Sequence, residues 1–451
     1  MPLPRFLSSR YLVLAGAVLM TACLGATYSW SVFVPEIRSL TGLSQSAVQL
    51  PFSVFYLAFP ITTLFAGPLI ARLGTRWCTL LGGLIFGGGW VLAGWGGCGW
   101  HFAFTVAGIG LLGGIGVGVA YIVPIAACVR WFPERKGLVT GIAVAGFGGG
   151  AAAVVHLAGH LMSENGFTAF EVLRLLGIVF AVLVCGVAAV MRFPGNAGAG
   201  VLPEAARGAP ALSVSRSAGE AGITGASGIT GASGAGAPVI VPDMNAPLAV
   251  TIARGDPPVR FARVVAERAF QVLYFAMFAG LVAGFTVNAN LKSLSQSGAG
   301  QAGITAVSLF ALANAFGRIV WGSLFDRAQR IPAAVLAANL ALQGVLLLAA
   351  PYLLRSVPGL QTLALLAGFN YGGVLVLYAS TVSVRWGAER VGHVYGWLFS
   401  ANAFAAAAPP LAGAVYDRWR TFSPSLVAIA ILLLAAAGVV LSRRGALKRE
   451  L

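Results

Sequence analysis

RWFPERKG, residues 130–137, returns as RWGAERVG at residues 385–392, and GPLIARLGTR from Gly67 returns as GSLFDRAQR from Gly322. Both pairs stand the same 255 residues apart (130 to 385, 67 to 322). Two separate loop motifs sharing one offset mean a duplicated unit. The chain around these loops is apolar. Of its 451 residues 58% are hydrophobic and only 9% charged, with a mean hydropathy of +0.86. A soluble domain needs about 25% charged residues to cover its surface, so lipid is the expected solvent. The apolar runs are unbroken and about as long as the 20 residues a spanning helix requires. A membrane barrel shows short alternating strands instead.

Runs between charged gaps predict helices near 11–34, 48–71, 77–97, 102–129, 137–162 and 168–192. A second six follow near 268–290, 303–325, 332–354, 360–384, 393–416 and 424–442. The fold class is therefore an all-α membrane protein with twelve transmembrane helices in two pseudo-symmetric six-helix bundles. The expected domains are a bundle over 1–194, a linker over 195–262 and a bundle over 263–451. The linker is rich in Gly, Ala, Pro and Ser and carries GITGAS twice from Gly222. Such a tract buries no core and reads as a flexible tether. The first run, Tyr11 to Val34, is too long for a signal-peptide core and shows no clear cleavage site, so a retained helix is expected.

A net charge of +16 suggests a nucleic-acid partner until its placement is considered. With the N-terminus on one side, the opposite side holds only Arg38, Arg174, Lys292, Arg355, Arg418 and Arg420; Arg318 lies inside a helix, and the rest of the 29 Lys and Arg fall on the first side. The positive-inside rule makes that first side the cytoplasm, puts both termini there and requires an even number of spans. The expected location is the cell inner membrane, with the bilayer rather than nucleic acid as the large partner. The five cysteines lie in or beside apolar runs without CxxC spacing and read as small core hydrophobes.

Two six-helix halves joined by a long linker resemble the major facilitator superfamily. The superfamily's loop between helices 2 and 3 reads Gly-x-x-x-Asp-Arg-x-Gly-Arg. Gly67, Arg72, Gly74 and Arg76 match it, with Ala71 in place of the acid, while the second copy keeps Gly322, Asp326 and Arg327. The resemblance implies a cytoplasmic latch in which a carboxylate pairs with cations and helix ends. The missing acid at Ala71 implies a looser latch in the first half.

No Asp or Glu falls deep in a span, which excludes a proton carrier built on a buried carboxylate. One cation does: Arg318, eight residues from Asp326 and so about 12 Å inside helix 8. A charge at that depth usually marks a pathway or ligand site. Asn314 lies one turn away on the same face. Tyr121 in helix 4 and Asn402 in helix 11 fall at a similar depth, near the midplane where facilitator substrates bind. A lone guanidinium among aromatic rings suits a small carboxylate, because its planar fork pairs with two oxygens. Tyr28, Tyr56, Phe147 and Tyr371 are candidates for the wall. His156 and His160, one turn apart in the outer part of helix 5, read as outer-leaflet packing, with His156 a candidate for proton linkage.

GATYSWSVF in helix 1, GVGVAYIVP in helix 4, RWFPERKG and the GFGGG of helix 5 resemble the oxalate/formate antiporter family and the bacterial lactate-type monocarboxylate transporters. In that group the Arg of an Asn-x-x-x-Arg stretch in helix 8 binds the substrate carboxylate. The resemblance assigns that role to Arg318, with Asn314 beside it, and carries the helix 4 tyrosine to Tyr121; depth alone makes Asn402 a candidate facing them. The exchangers carry a Lys in helix 11 within Thr-Ala-Lys; here the stretch reads Ser400-Ala401-Asn402. Losing that second cation favours a monocarboxylate over a dicarboxylate.

The expected function is transport of a small monocarboxylate of the lactate, pyruvate or formate kind, by proton symport or anion exchange, with no cofactor and no metal, as a monomer. A facilitator for another small organic solute, such as a dicarboxylate or a drug, is the alternative within transport. A membrane sensor usually carries a soluble signalling domain, and 195–262 is too low in complexity for one. Four His and no buried acid assemble no nucleophile-base pair, so an enzyme is not expected. Gly110, Gly114 and Gly118 repeat every fourth residue in helix 4 and read as close helix packing.

Overall fold

The computed structural model describes residues 5–97, 99–132, 135–194, 261–294, 300–387 and 390–447. Within them the chain is helical, with ten elements of single-span length and one of double length. The spans are α1 (Arg10–Thr41), then a stretch Gln45–Ala93, α4 (Gly99–Trp131), α5 (Lys136–Ser163) and α6 (Ala169–Ala188). The second set is α7 (Arg268–Leu294), α8 (Gln301–Arg327), α9 (Pro332–Leu353), α10 (Val357–Trp386), α11 (His393–Trp419) and α12 (Ser423–Ser442).

Gln45–Ala93 has 49 residues. At 1.5 Å per residue it would reach about 70 Å, more than twice a hydrocarbon core of about 30 Å. Gly74, at φ 80° and ψ 167°, breaks it. A Cβ there would be strained, and glycine alone takes this conformation freely. The stretch is thus two spans, α2 (45–73) and α3 (75–93), and the total is twelve. The two bundles belong to one compact unit. The loop between α2 and α3 is therefore tighter than the sequence suggests: α3 begins immediately after the glycine.

The surface is inverted relative to a soluble protein. Phe65, Trp77, Val182, Phe404 and Leu411 are all about two-thirds exposed, while Gln45, Gln49, Asn290 and Gln343 are fully buried. Apolar exteriors with polar interiors belong in lipid. Helix starts are capped where the sequence allows. Thr168 and Glu171 form a reciprocal capping box at α6, and Ser356 accepts from Gly359 N at 3.2 Å at α10. A short helix, Phe261–Ala266, precedes α7, so helical structure starts inside the last two residues of the stretch assigned to the linker. The remainder of that stretch, 195–260, lies outside the described residues.

Three spans depart from regular α geometry. Gly25–Ser29 is a 3-10 turn in the middle of α1, Val106–Leu112 is a π stretch in α4, and α11 is interrupted at Ser400 and again near Ala406. Such irregularities expose backbone groups and redirect side chains, and in spans they occur where protein rather than lipid surrounds them.

Candidate substrate site

Arg318 is placed by the packing of α8. Gly372 of α10 lies so near α8 that a Cβ on it would meet the carbonyl oxygen of Asn314 and come within 2.9 Å of Arg318 N. Gly317 and Gly368 make the same kind of approach, against the carbonyls of Phe369 and Phe310. From the other bundle, Gly148 of α5 seats against Ala311, leaving no room for a Cβ. α8 is thus pinned between α10 and α5, and Arg318 faces the seam.

Across that seam the Arg318 Nη2 donates to the Tyr28 hydroxyl at 3.4 Å. Its Nε is buried with no partner, and no carboxylate pairs with it among the described residues. The phenols around the guanidinium come from both bundles: Tyr28 and Tyr121 from the first, Tyr371 and Tyr395 from the second. The rings form a connected wall. Tyr28 lies 6.1 Å from Phe147 and 6.5 Å from Tyr371, Tyr121 lies 5.2 Å from Phe147 and 5.8 Å from Phe59, and Phe59 lies 6.2 Å from Phe399. Tyr56 completes it against Phe285 at 4.0 Å. Edge-to-face rings of this kind hold each other in place.

The structure therefore brings Arg318, Tyr28, Tyr121 and Tyr371 together, with Tyr56 and Phe147 in the wall. Asn314 is 1% exposed beside them and its Nδ2 has no partner. Asn402 is different. It belongs to the same bundle as Arg318, and its Nδ2 donates to the Phe399 carbonyl of its own helix at 2.7 Å, so it does not face Arg318 with a free amide. His156 lies nine residues from Phe147, which at 100° per residue puts it on the opposite face of α5. Its side chain is exposed there, away from the wall, and the proton-linked role expected of it has no geometric support. His160 pairs with Glu164 at 3.0 Å.

The paired loops lie at the end of the bundles that carries the termini. Arg72 and Arg76 are exposed, and Arg76 Nη2 reaches the Ala189 carbonyl at 3.4 Å. Gly67 and Gly322 sit in their helices, Asp326 is half-buried and Arg327 exposed. Asp326 forms no ion pair among the described residues.

The opposite end of the seam is sealed, by residues the sequence did not mark. Asp417 of α11 accepts from Gln45 N at 2.8 Å and Ser46 N at 3.0 Å, across the bundles. Asn290 Oδ1 accepts from Gln45 Nε2 at 2.8 Å and Gln49 Nε2 at 2.9 Å, and Lys292 Nζ donates to the Val32 carbonyl at 2.8 Å. Lys292 and Asp417 read as loop charges because they stand at the ends of apolar runs. Tyr395 was also missed, being one aromatic among many; its hydroxyl donates to the Leu375 carbonyl at 3.1 Å.

Twelve spans in two matched bundles, meeting at a guanidinium with no carboxylate partner among the described residues, define a membrane carrier. Residues 15–410 match the family described as the Major Facilitator Superfamily, and the chain belongs to that family. Among its relatives is the uncharacterized MFS-type transporter YhjX of Escherichia coli (strain K12), 25% identical over 87% of this chain and 84% of the relative. The oxalate:formate antiporter of Oxalobacter formigenes is 32% identical over 42% of this chain and 44% of its own length. The apicoplast pyruvate carrier 1 of Toxoplasma gondii is 32% identical over 30% of this chain and 32% of its own length.

Proposed function

We propose that this carrier moves a small monocarboxylate across the membrane, with Arg318 as the anchor for its carboxylate. The observation that carries the proposal is a guanidinium facing the seam of the bundles, joined to a phenol and, among the described residues, to no carboxylate. A planar fork of this kind binds two carboxylate oxygens at once. The unpaired Asn314 Nδ2 and the Tyr121 hydroxyl supply neighbouring donors, and the aromatic wall limits the remainder of the anion to a short, largely apolar group. One fixed cation neutralises one carboxylate; a second would enter a poorly hydrated site at a cost of several kcal/mol.

Exchange is the coupling that fits. The empty carrier holds a bare cation, which is costly to occlude between closing bundles, whereas the loaded carrier is neutral there. Net return of the empty form is then slow and anion-for-anion exchange fast. The similarity to an antiporter and to a pyruvate carrier supports an organic anion as cargo. Because of the first of these, an oxalate-like dianion is the second reading. The charge asymmetry of the loops supports an orientation with the termini in the cytoplasm and the sealed end of the seam outside.

Proteoliposomes loaded with unlabelled pyruvate and given labelled pyruvate test the proposal. Uptake should depend on internal anion and be competed by lactate and formate before oxalate. Preference for oxalate would select the second reading, and indifference to every small carboxylate would remove both.

A further inference from the structure

We propose that Asp417 is the residue that holds the seam shut on the side away from the termini, by capping the start of α2 across the bundle interface. The inference rests on the carrier architecture and not on the identity of the cargo.

The first amides of a helix have no partners within it and carry the positive end of its dipole. At α2 these donors are shared between two bundles. Ser44, in extended conformation at the cap, accepts from Ala47 N at 3.1 Å through its own hydroxyl. The amides of Gln45 and Ser46 are left over, and the two carboxylate oxygens of Asp417 take one each, at 2.8 and 3.0 Å. A local cap would stabilise α2 alone. A cap borrowed from α11 stabilises α2 only while the bundles touch, so this bond is a property of one conformational state.

The surroundings are built for that contact. Gly413, one turn before Asp417, lies so close to Ser46 that a Cβ would fall 2.7 Å from its backbone N. Arg38, at the end of α1, stacks over the Tyr416 ring of α11 at 5.4 Å. Deeper in, the Gln45 and Gln49 amides converge on one acceptor, Asn290 Oδ1, and all three side chains are fully buried. Gln49 also donates to the Ala289 carbonyl at 2.9 Å. These neutral bonds can be exchanged for water as the bundles part. The Asp417 contact differs because a charge meets a helix dipole through two amides, whereas the other charged contact of the seal, Lys292 Nζ, meets the single carbonyl of Val32.

The experiment measures the distance between the bundles directly. Spin labels are placed on cysteines at Ser39 and Arg418, two exposed positions flanking the seal, after the five native cysteines are replaced. Wild-type Asp417 should give mainly the short separation by double electron–electron resonance in nanodiscs. Asp417→Asn should enlarge the long-separation population by roughly fivefold, the effect expected of losing a charged cap. Asp417→Glu should restore part of the short population. If Asp417→Asn does not yield folded protein, Asn290→Ala and Gln49→Ala should shift the distribution in the same direction. Unchanged distances in the variants that fold, even with lower thermal stability, would show that Asp417 only caps a helix, and the inference falls.

Discussion

Arg318 of the second bundle and Tyr28 of the first are joined by one hydrogen bond, 3.4 Å from guanidinium Nη2 to phenol oxygen. Tyr28 reaches it because α1 tightens into a 3-10 turn at Gly25–Ser29, where Gly25 packs against the backbone of Phe147. The bond is long, and Arg318 Nε has no partner. The guanidinium is oriented by the protein yet keeps donors for a ligand.

Tyr28→Phe should therefore weaken binding without disabling the carrier. Losing a long bond to a charged group is worth about 1 kcal/mol, so the apparent KM should rise roughly fivefold. Initial uptake rates over a range of substrate concentrations check this. An unchanged KM would mean that Tyr28 does not orient Arg318.

Gly372→Ala should push α10 away from α8, because its Cβ would collide with the Asn314 carbonyl. Overpacking of this kind costs about 1–3 kcal/mol, and here it also moves Arg318. Uptake and thermal stability in detergent should both fall. Gly149→Ala, where nothing lies within 4 Å of the new Cβ, should leave both unchanged and serves as the control.

The helices and their pairing were legible because lipid imposes a simple rule, apolar runs with charges at the gaps. Arg318, Tyr28, Tyr121 and Tyr371 stood out for the same reason, as polar groups inside such runs. Asp417, Lys292 and Gln45 could not be found that way. At the end of a span, one sequence pattern serves both a solvated loop charge and a buried inter-bundle contact, and only the approach of a second helix distinguishes them. Asn402 shows the reverse error. Depth along a helix is readable from spacing, but whether an amide bonds across a seam or back to its own helix, as Asn402 does to Phe399, depends on the break at Ser400.

His156→Ala should change neither the uptake rate nor its pH dependence by more than about twofold, because the imidazole is exposed on the far face of α5. A flattened pH profile in this variant would restore a proton-linked role for His156 and argue against pure exchange.

The central claim, that Arg318 holds the carboxylate, is tested most directly by Arg318→Lys in the exchange assay. Lysine keeps the charge and loses the fork, so one of two charged hydrogen bonds disappears at a cost of about 1.5–3 kcal/mol. Exchange of labelled pyruvate should fall by about 10- to 100-fold at unchanged protein level and fold. Near wild-type exchange by a correctly folded Arg318→Lys protein would contradict the account.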